Sequence, residues 1–132
     1  MICLDTSALI AILADEPDAA AFAAKIRTDA ERICGAHVVL EACMRLATLA
    51  GALPSVVEVR VLRALKEVGV VIVPITQATA HLAVEAFEHY GKGRHKAGLN
   101  FGDCLSYACA KAHGARLLFK ATDFAQTDIA RA

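Results

Sequence analysis

The 132-residue sequence carries no net charge, with 14 Lys and Arg balanced by 14 Asp and Glu. That excludes the global positive field of a protein that coats nucleic acid, so any such contact must come from a local or metal-assisted cluster. No apolar run approaches the ~20 residues needed to span a bilayer. The apolar start is broken at Asp5 and no basic segment precedes it, so neither a membrane span nor a signal peptide is expected. Cysteine is odd in number, five, with no C-x-x-C pair. This reads as buried reduced thiols used as small hydrophobes, not disulfides or zinc ligands, and favours a cytoplasmic location. Tryptophan is absent, and so are G-x-x-x-x-G-K-[ST] and G-x-G-x-x-G, which leaves a nucleotide-binding loop unsupported. The five histidines show no H-x-x-x-H spacing, and Ser7 and Ser106 lack a histidine-plus-acid pattern.

What is present is apolar: 57% hydrophobic residues against 21% charged, led by alanine. A disordered chain is excluded, and alanine's helix propensity predicts a largely helical molecule. The length fits one domain over residues 1–132. Short apolar runs alternate with helical patterns, which predicts an α/β fold with a central, mainly parallel sheet of four to five strands flanked by helices.

The first strand ends at Leu4, and Thr6 or Ser7 can cap a helix from Ala8 to Ala14. Pro17 suits the start of a second helix through about Ala30, with Asp18 in its first turn. Arg32–Ala36 is a candidate strand, and Val38–Leu49 is helical, with Val39, Cys43, Leu46 and Ala50 recurring on one side. A further amphipathic helix covers Ser55–Val68. Val70–Val73 is wholly apolar and β-branched, so burial on both faces is expected. Thr76–Tyr90 is predicted helical with Ala83, Phe87 and Tyr90 inward. Residues 91–98 combine three glycines with Lys92, Arg94, Lys96 and His95, and read as a flexible basic loop. A helix from about Phe101 to Ala112 and a strand over residues 115–120 complete the pattern.

Most acids fall on polar helix faces or in turns. Four do not: Asp5 and Asp123 follow strands whose ends should be neighbours, Glu41 lies within an apolar helical run, and Asp103 heads the helix before the last strand. Each has an ordinary alternative. Asp5 could cap the next helix, Asp103 could close a capping box with Asn100, Glu41 could favour the helix dipole, and Asp123 could make a turn. Gathered at one sheet edge, however, four carboxylates repel unless a cation neutralises them. A hard divalent ion with oxygen ligands, Mg²⁺ or Mn²⁺, fits that need and points to phosphodiester hydrolysis. The basic loop would attract phosphate. A dehalogenase-type phosphatase would need a second Asp where Ser7 stands, and a receiver domain an Asp where Val73 leads into Pro74.

In the order Asp5-Thr6-Ser7, Leu40-Glu41, Gly102-Asp103 and Thr122-Asp123-Phe124, the chain resembles the PIN-domain ribonucleases of the VapC toxin type over essentially its whole length. Residues 91–103 also resemble the run before the third acid in a subset of these toxins. The resemblance implies a PIN-like domain and a Mg²⁺- or Mn²⁺-dependent endoribonuclease toxin, held inactive by a VapB-type antitoxin. It implies a homodimer and contact with DNA only through the antitoxin. By the same resemblance Asp5 and Asp103 hold the metal most directly, while Glu41 and Asp123 complete the acidic pocket. Ser7, or Thr6, orients the first Asp or a bound water. The chain departs from the family at Gly35-Ala36, where Ser or Thr is common, and at Ala121, where glycine is.

RNA contact by Lys92, Arg94, His95 and Lys96 is an expectation of the same kind, with a solvated loop or antitoxin contact as the alternative. A PIN-like module that binds RNA or protein without cutting is the competing function. The helices Ala8–Ala14, Asp18–Ala30 and Ser55–Val68 carry more apolar surface than a small monomer needs, and are expected to form the dimer or antitoxin interface.

Overall fold

The computed structural model describes residues 1–120 and 122–132. Four strands, β1 (Ile2–Leu4), β2 (Arg32–Gly35), β3 (Val70–Val73) and β4 (Arg116–Leu118), form a parallel sheet in the order β3-β2-β1-β4. β1 is thus central, and its carboxyl end is flanked by those of β2 and β4. Beyond β4 the carboxyl-terminal tail adds a single parallel bridge, Leu117 to Arg131, rather than a fifth strand.

Six helices cover the sheet: α1 (Thr6–Leu13), α2 (Ala19–Thr28), α3 (Ala36–Ala50), α4 (Pro54–Glu67), α5 (Gln77–Tyr90) and α6 (Phe101–Ala112). Side chains alternate across a strand, so each strand feeds two cores. Ile2, Leu4, Cys34 and Leu118 pack with α1 to α4. Cys3, Ile33, Leu117 and Phe119 pack with α5, α6 and Phe124. The result is a three-layer α/β domain. All five cysteines are buried and unpaired, and burial pushes the Cys34 thiol up to about 12. Among the described residues no helix is long and apolar enough to cross a membrane.

Several local expectations change. α1 begins directly at Thr6, so its cap is Asp5, whose side chain accepts from the Ser7 amide, and not Thr6 or Ser7. α2 begins at Ala19, with Asp18 outside it as the capping residue. β3 is not buried on both faces, because it is the sheet edge: Val71 is 61% exposed and Ile72 39%. On α5, Thr79 and Ala86 are the buried residues and Phe87 lies out on the surface, because α5 packs chiefly on α6.

The basic stretch is a structured turn. Lys92 N–H donates to the Leu99 carbonyl and Leu99 N–H to that of Tyr90, while the amides of Arg94 and His95 both donate to Gly91. Gly93 and Gly98 take positive φ angles of 82° and 64°, which glycine allows without strain. Lys92, Arg94 and Lys96 are exposed. His95 instead turns inward, accepting from the Ala97 amide at 3.1 Å and meeting Tyr90 edge-on.

Candidate active site

Three of the four selected acids are placed by elements that begin at the carboxyl edge of the sheet. Asp5 follows β1 directly, and its amide donates to Leu118 of β4 at 2.9 Å, which fixes the chain where it leaves the sheet. Asp5 is 5% exposed. A buried carboxylate needs hydrogen-bond donors in place of water, and this one has three. Ser7 supplies its amide at 2.9 Å and its hydroxyl at 2.5 Å to Oδ2, and Ser106 its hydroxyl at 2.7 Å to Oδ1.

Glu41 lies on α3, which starts at Ala36 immediately after β2. Thr6 donates its hydroxyl to Glu41 Oε2 at 2.6 Å. Adjacent hydroxyls of one Asp-Thr-Ser turn therefore serve two different acids. Gly102 on α6 faces the same carboxylate, and a Cβ there would overlap it.

Asp103 closes the capping box foreseen with Asn100: the Asp103 amide donates to Asn100 Oδ1 at 2.9 Å and the Asn100 amide to Asp103 Oδ2 at 3.0 Å. The capping role and a site role coexist, because only one carboxylate oxygen is used. Burial raises the Asp103 carboxyl to about 6. The Asn100 amide opposes that shift, and the charges of Asp5, Asp123 and Glu41 add to it. Asp123 opens a 3-10 turn, Asp123–Gln126, and is half-buried. The residue before Thr122, Ala121, lies outside the described residues.

The charges of Asp5, Asp123 and Glu41 thus all reach Asp103. Among the described residues none of the four forms an ion pair with a basic side chain. Lys120, the nearest cation in sequence to Asp123, is engaged by Glu16 and Asp18. No group of three His, Cys, Asp or Glu side chains among the described residues is drawn together at metal-binding distance. Asp5, Glu41 and Asp103 are each held by their own hydroxyl or amide donors. Such an all-oxygen, negatively charged pocket fits a hard cation that keeps several waters and needs only one or two direct carboxylates.

Two residues of the site were not selected from sequence. Ser106 is buried on α6 between Asp5 and His37, whose Nε2 lies 3.0 Å from the serine hydroxyl. The absence of a histidine-plus-acid pattern around Ser106 is therefore corrected: His37 and Asp5 lie on either side of it. The order acid–serine–histidine is not that of a nucleophilic triad, since the acid meets the serine and not the imidazole. Ser106 lies one turn after Asp103, on the same side of α6, which is the one sequence signal that could have found it. The bulk of His37 is admitted by Gly35, where a Cβ would lie 2.6 Å from the ring.

Away from the pocket the surface is apolar in two places. Leu13, Leu46, Leu49, Ala50, Val57 and Val61 line a groove of about 280 Å³ between α1, α3 and α4. A second, larger groove of about 560 Å³ lies between α5 and the start of α6, bordered by Ile75, Val84, Phe87 and the 84% exposed Phe101.

The PIN domain family model matches residues 2–130. The chain is 45% identical to ribonuclease VapC30 of Mycobacterium tuberculosis over 127 residues, covering 96% of this chain and 95% of that protein. It is 43% identical to a ribonuclease VapC of Mycolicibacterium smegmatis, covering 96% of each. Among solved structures it is similar to Mycobacterium tuberculosis VapC20, a sarcin-ricin loop cleaving toxin, with a TM-score of 0.77 and 17% identity over 100% of this chain and 98% of that one. It is also similar to a chain of a toxin-antitoxin complex from Klebsiella pneumoniae, with a TM-score of 0.72 and 21% identity over 97% and 93%.

Proposed function

The chain belongs to the PIN domain family, among the VapC ribonucleases, and we propose that it is a metal-dependent endoribonuclease, the toxin of a toxin–antitoxin pair neutralised by a VapB-type antitoxin. The observation that carries the metal-dependent reading is the state of Asp103, its carboxyl raised to about 6 in a pocket shared with Asp5, Glu41 and Asp123. An acid group with that surplus of negative charge and no basic partner calls for a cation.

Asp5 and Asp103 are the side chains that would hold Mg²⁺ or Mn²⁺, with Glu41 and Asp123 completing the pocket. Bound there, the ion would supply Lewis-acid polarisation of the scissile phosphate and a more acidic water. The protein's own part is orientation and proton handling. Ser7 keeps Asp5 aimed through two hydrogen bonds. Glu41, tied to Thr6 through one oxygen, has the other to take a proton from the attacking water. Lys92, Arg94 and Lys96, exposed on the turn that leads into α6, would draw the RNA backbone toward an otherwise acidic edge. His95 contributes by shaping that turn.

The two apolar grooves suit two protein partners. We assign the α1–α3–α4 groove to the antitoxin, in line with the sequence-based expectation for α1 and α4. The face of β3, α5 and Phe101 is assigned to a second copy of the chain. A monomeric sedimentation profile with no antitoxin binding would contradict both assignments.

The test of function is incubation of the purified protein with cellular RNA in Mg²⁺ or Mn²⁺, with and without EDTA. Internal cleavage abolished by the chelator is expected. Failure to cut any cellular RNA would favour the competing module that binds without cutting, in which the acids serve only as caps and hydrogen-bond acceptors.

A further inference from the structure

We propose that His37 is a positioning residue for Asp5, acting through Ser106. The inference rests on the function proposed above and adds to it a residue outside the acid quartet.

A serine hydroxyl has one proton. Ser106 gives its proton to Asp5 Oδ1 at 2.7 Å, so its oxygen must accept in the 3.0 Å contact with His37. The imidazole therefore carries its proton on Nε2 and presents a bare lone pair at Nδ1. Nδ1 is buried and has no hydrogen-bond partner among the described residues. The opposite tautomer would bury an N–H donor there with no acceptor, a greater penalty than an unused lone pair, and would take the Ser106 proton away from Asp5. Burial, the first cause acting on His37, also holds its pKa below the usual imidazole value against the pull of Glu41 and Asp5, which favours the neutral ring.

Ser7 shows the same device in backbone form. Its hydroxyl donates to Asp5 Oδ2 while accepting from the Lys120 amide at 3.0 Å. Each of the two serines around Asp5 thus has an N–H at its back that leaves one direction for its proton. A helical serine is otherwise free to turn back to the carbonyl four residues earlier. Behind Ser7 the N–H is an invariant peptide group, and behind Ser106 it is the side chain of His37. Gly35, which a Cβ would drive into the ring at 2.6 Å, admits that side chain.

The consequence is an Asp5 carboxylate oriented before any cation arrives. Two measurements test this. Nitrogen NMR of the imidazoles in the wild-type protein, without metal, reads the tautomer directly: a protonated Nε2 with bare Nδ1 is expected for His37, and a protonated Nδ1 overturns the proposal. Mn²⁺ binding, followed by the loss of the free-ion electron paramagnetic signal, reads the consequence. His37→Leu and Ser106→Ala are each expected to weaken binding about tenfold, the lower end for partners behind a metal ligand. The double variant should be no weaker than either, and His37→Gln, which keeps an N–H at that reach, should recover most of the loss. Unchanged Mn²⁺ affinity in folded His37→Leu, or additive losses in the double variant, overturns it. If His37→Leu does not fold, Ser106→Ala and His37→Gln decide alone: a tenfold loss in the first with near-normal binding in the second supports the proposal, and any other pair of results overturns it. Absence of Mn²⁺ binding in the wild type would instead sink the metal-dependent function, and the role of His37 with it.

Discussion

Gly102 occupies the helix position beside the Glu41 carboxylate, and the space a side chain would take there is filled by that carboxylate. The contact joins α3 to α6 across the pocket and sets where Glu41 can lie relative to Asp103, one residue further on. Gly102→Ala should therefore push the Glu41 carboxylate away from Thr6 without unfolding the chain, since the colliding atoms are the far end of a flexible side chain. Alanine also favours a helix by about 1 kcal/mol over glycine, so the thermal midpoint should hold or rise. RNA cleavage should fall roughly tenfold to a hundredfold, the scale of a small misplacement at a reacting group. Glu41→Ala with and without the second change is the check: Gly102→Ala should cost nothing more once Glu41 is gone.

Asp103 titrates against its neighbours, and the sign follows from its raised pKa. The folded protein holds this proton up to about 6, whereas the unfolded chain releases it near 3.8. Its contribution to stability is complete below about 3.8 and is lost as pH rises through about 6. Asp103→Asn keeps an acceptor for the Asn100 amide and removes the charge. Denaturation in a chelating buffer between pH 4 and 7 should show a falling component in the wild type that is missing from the variant. An identical slope in both would contradict the assignment.

Divalent ions should reverse that loss. Mg²⁺ competes with the Asp103 proton, so the rise in thermal midpoint with Mg²⁺ should be larger at pH 7.5 than at pH 5, and absent in Asp5→Asn and Asp103→Asn. A midpoint that rises equally in all three would place the ion elsewhere.

Tyr107 ties the tail to α6. Its buried hydroxyl donates to Asp128 at 2.6 Å, and Lys111 joins the same carboxylate at 2.8 Å. These two donors, Lys111 first, hold the Asp128 carboxyl below its usual value, and Tyr107 is pushed up by burial and by Asp128. Tyr107→Phe should lower stability by about 1 kcal/mol and leave cleavage unchanged, as read by urea denaturation and the RNA assay together.

The turn leading into α6 should matter to RNA binding more than to folding. Replacing Lys92, Arg94 and Lys96 with glutamine should weaken RNA association and flatten its salt dependence, by about 0.7 in logarithmic slope for each lost phosphate contact on single-stranded RNA. Unchanged slope would assign the turn to the antitoxin or to solvent.

The acids were legible because each stands at an abrupt local change: Asp5 at the end of an apolar strand, Asp103 at the head of a helix, Glu41 inside an apolar run. Their meeting at one edge follows from strand–helix alternation, which brings every strand's carboxyl end to the same side. His37 and Ser106 carry no such mark. They are 69 residues apart, and either reads alone as an ordinary helical polar residue. For Asp5, capping α1 and lining the acidic pocket are compatible, because the carboxylate that accepts from the Ser7 amide is the same one that faces the pocket. β3 misled because a β-branched run records apolarity but not which strand lies at the edge. Exposure of Val71 and Ile72 follows from the sheet order, a property of the whole chain.

The most direct test of the central claim is a side-by-side RNA cleavage assay, in Mg²⁺ or Mn²⁺, of the wild type, Asp5→Asn and Asp103→Asn. A cation held by Asp5 and Asp103 predicts internal cleavage by the wild type that is lost in both variants while their folds persist. Cleavage that survives both substitutions would contradict it.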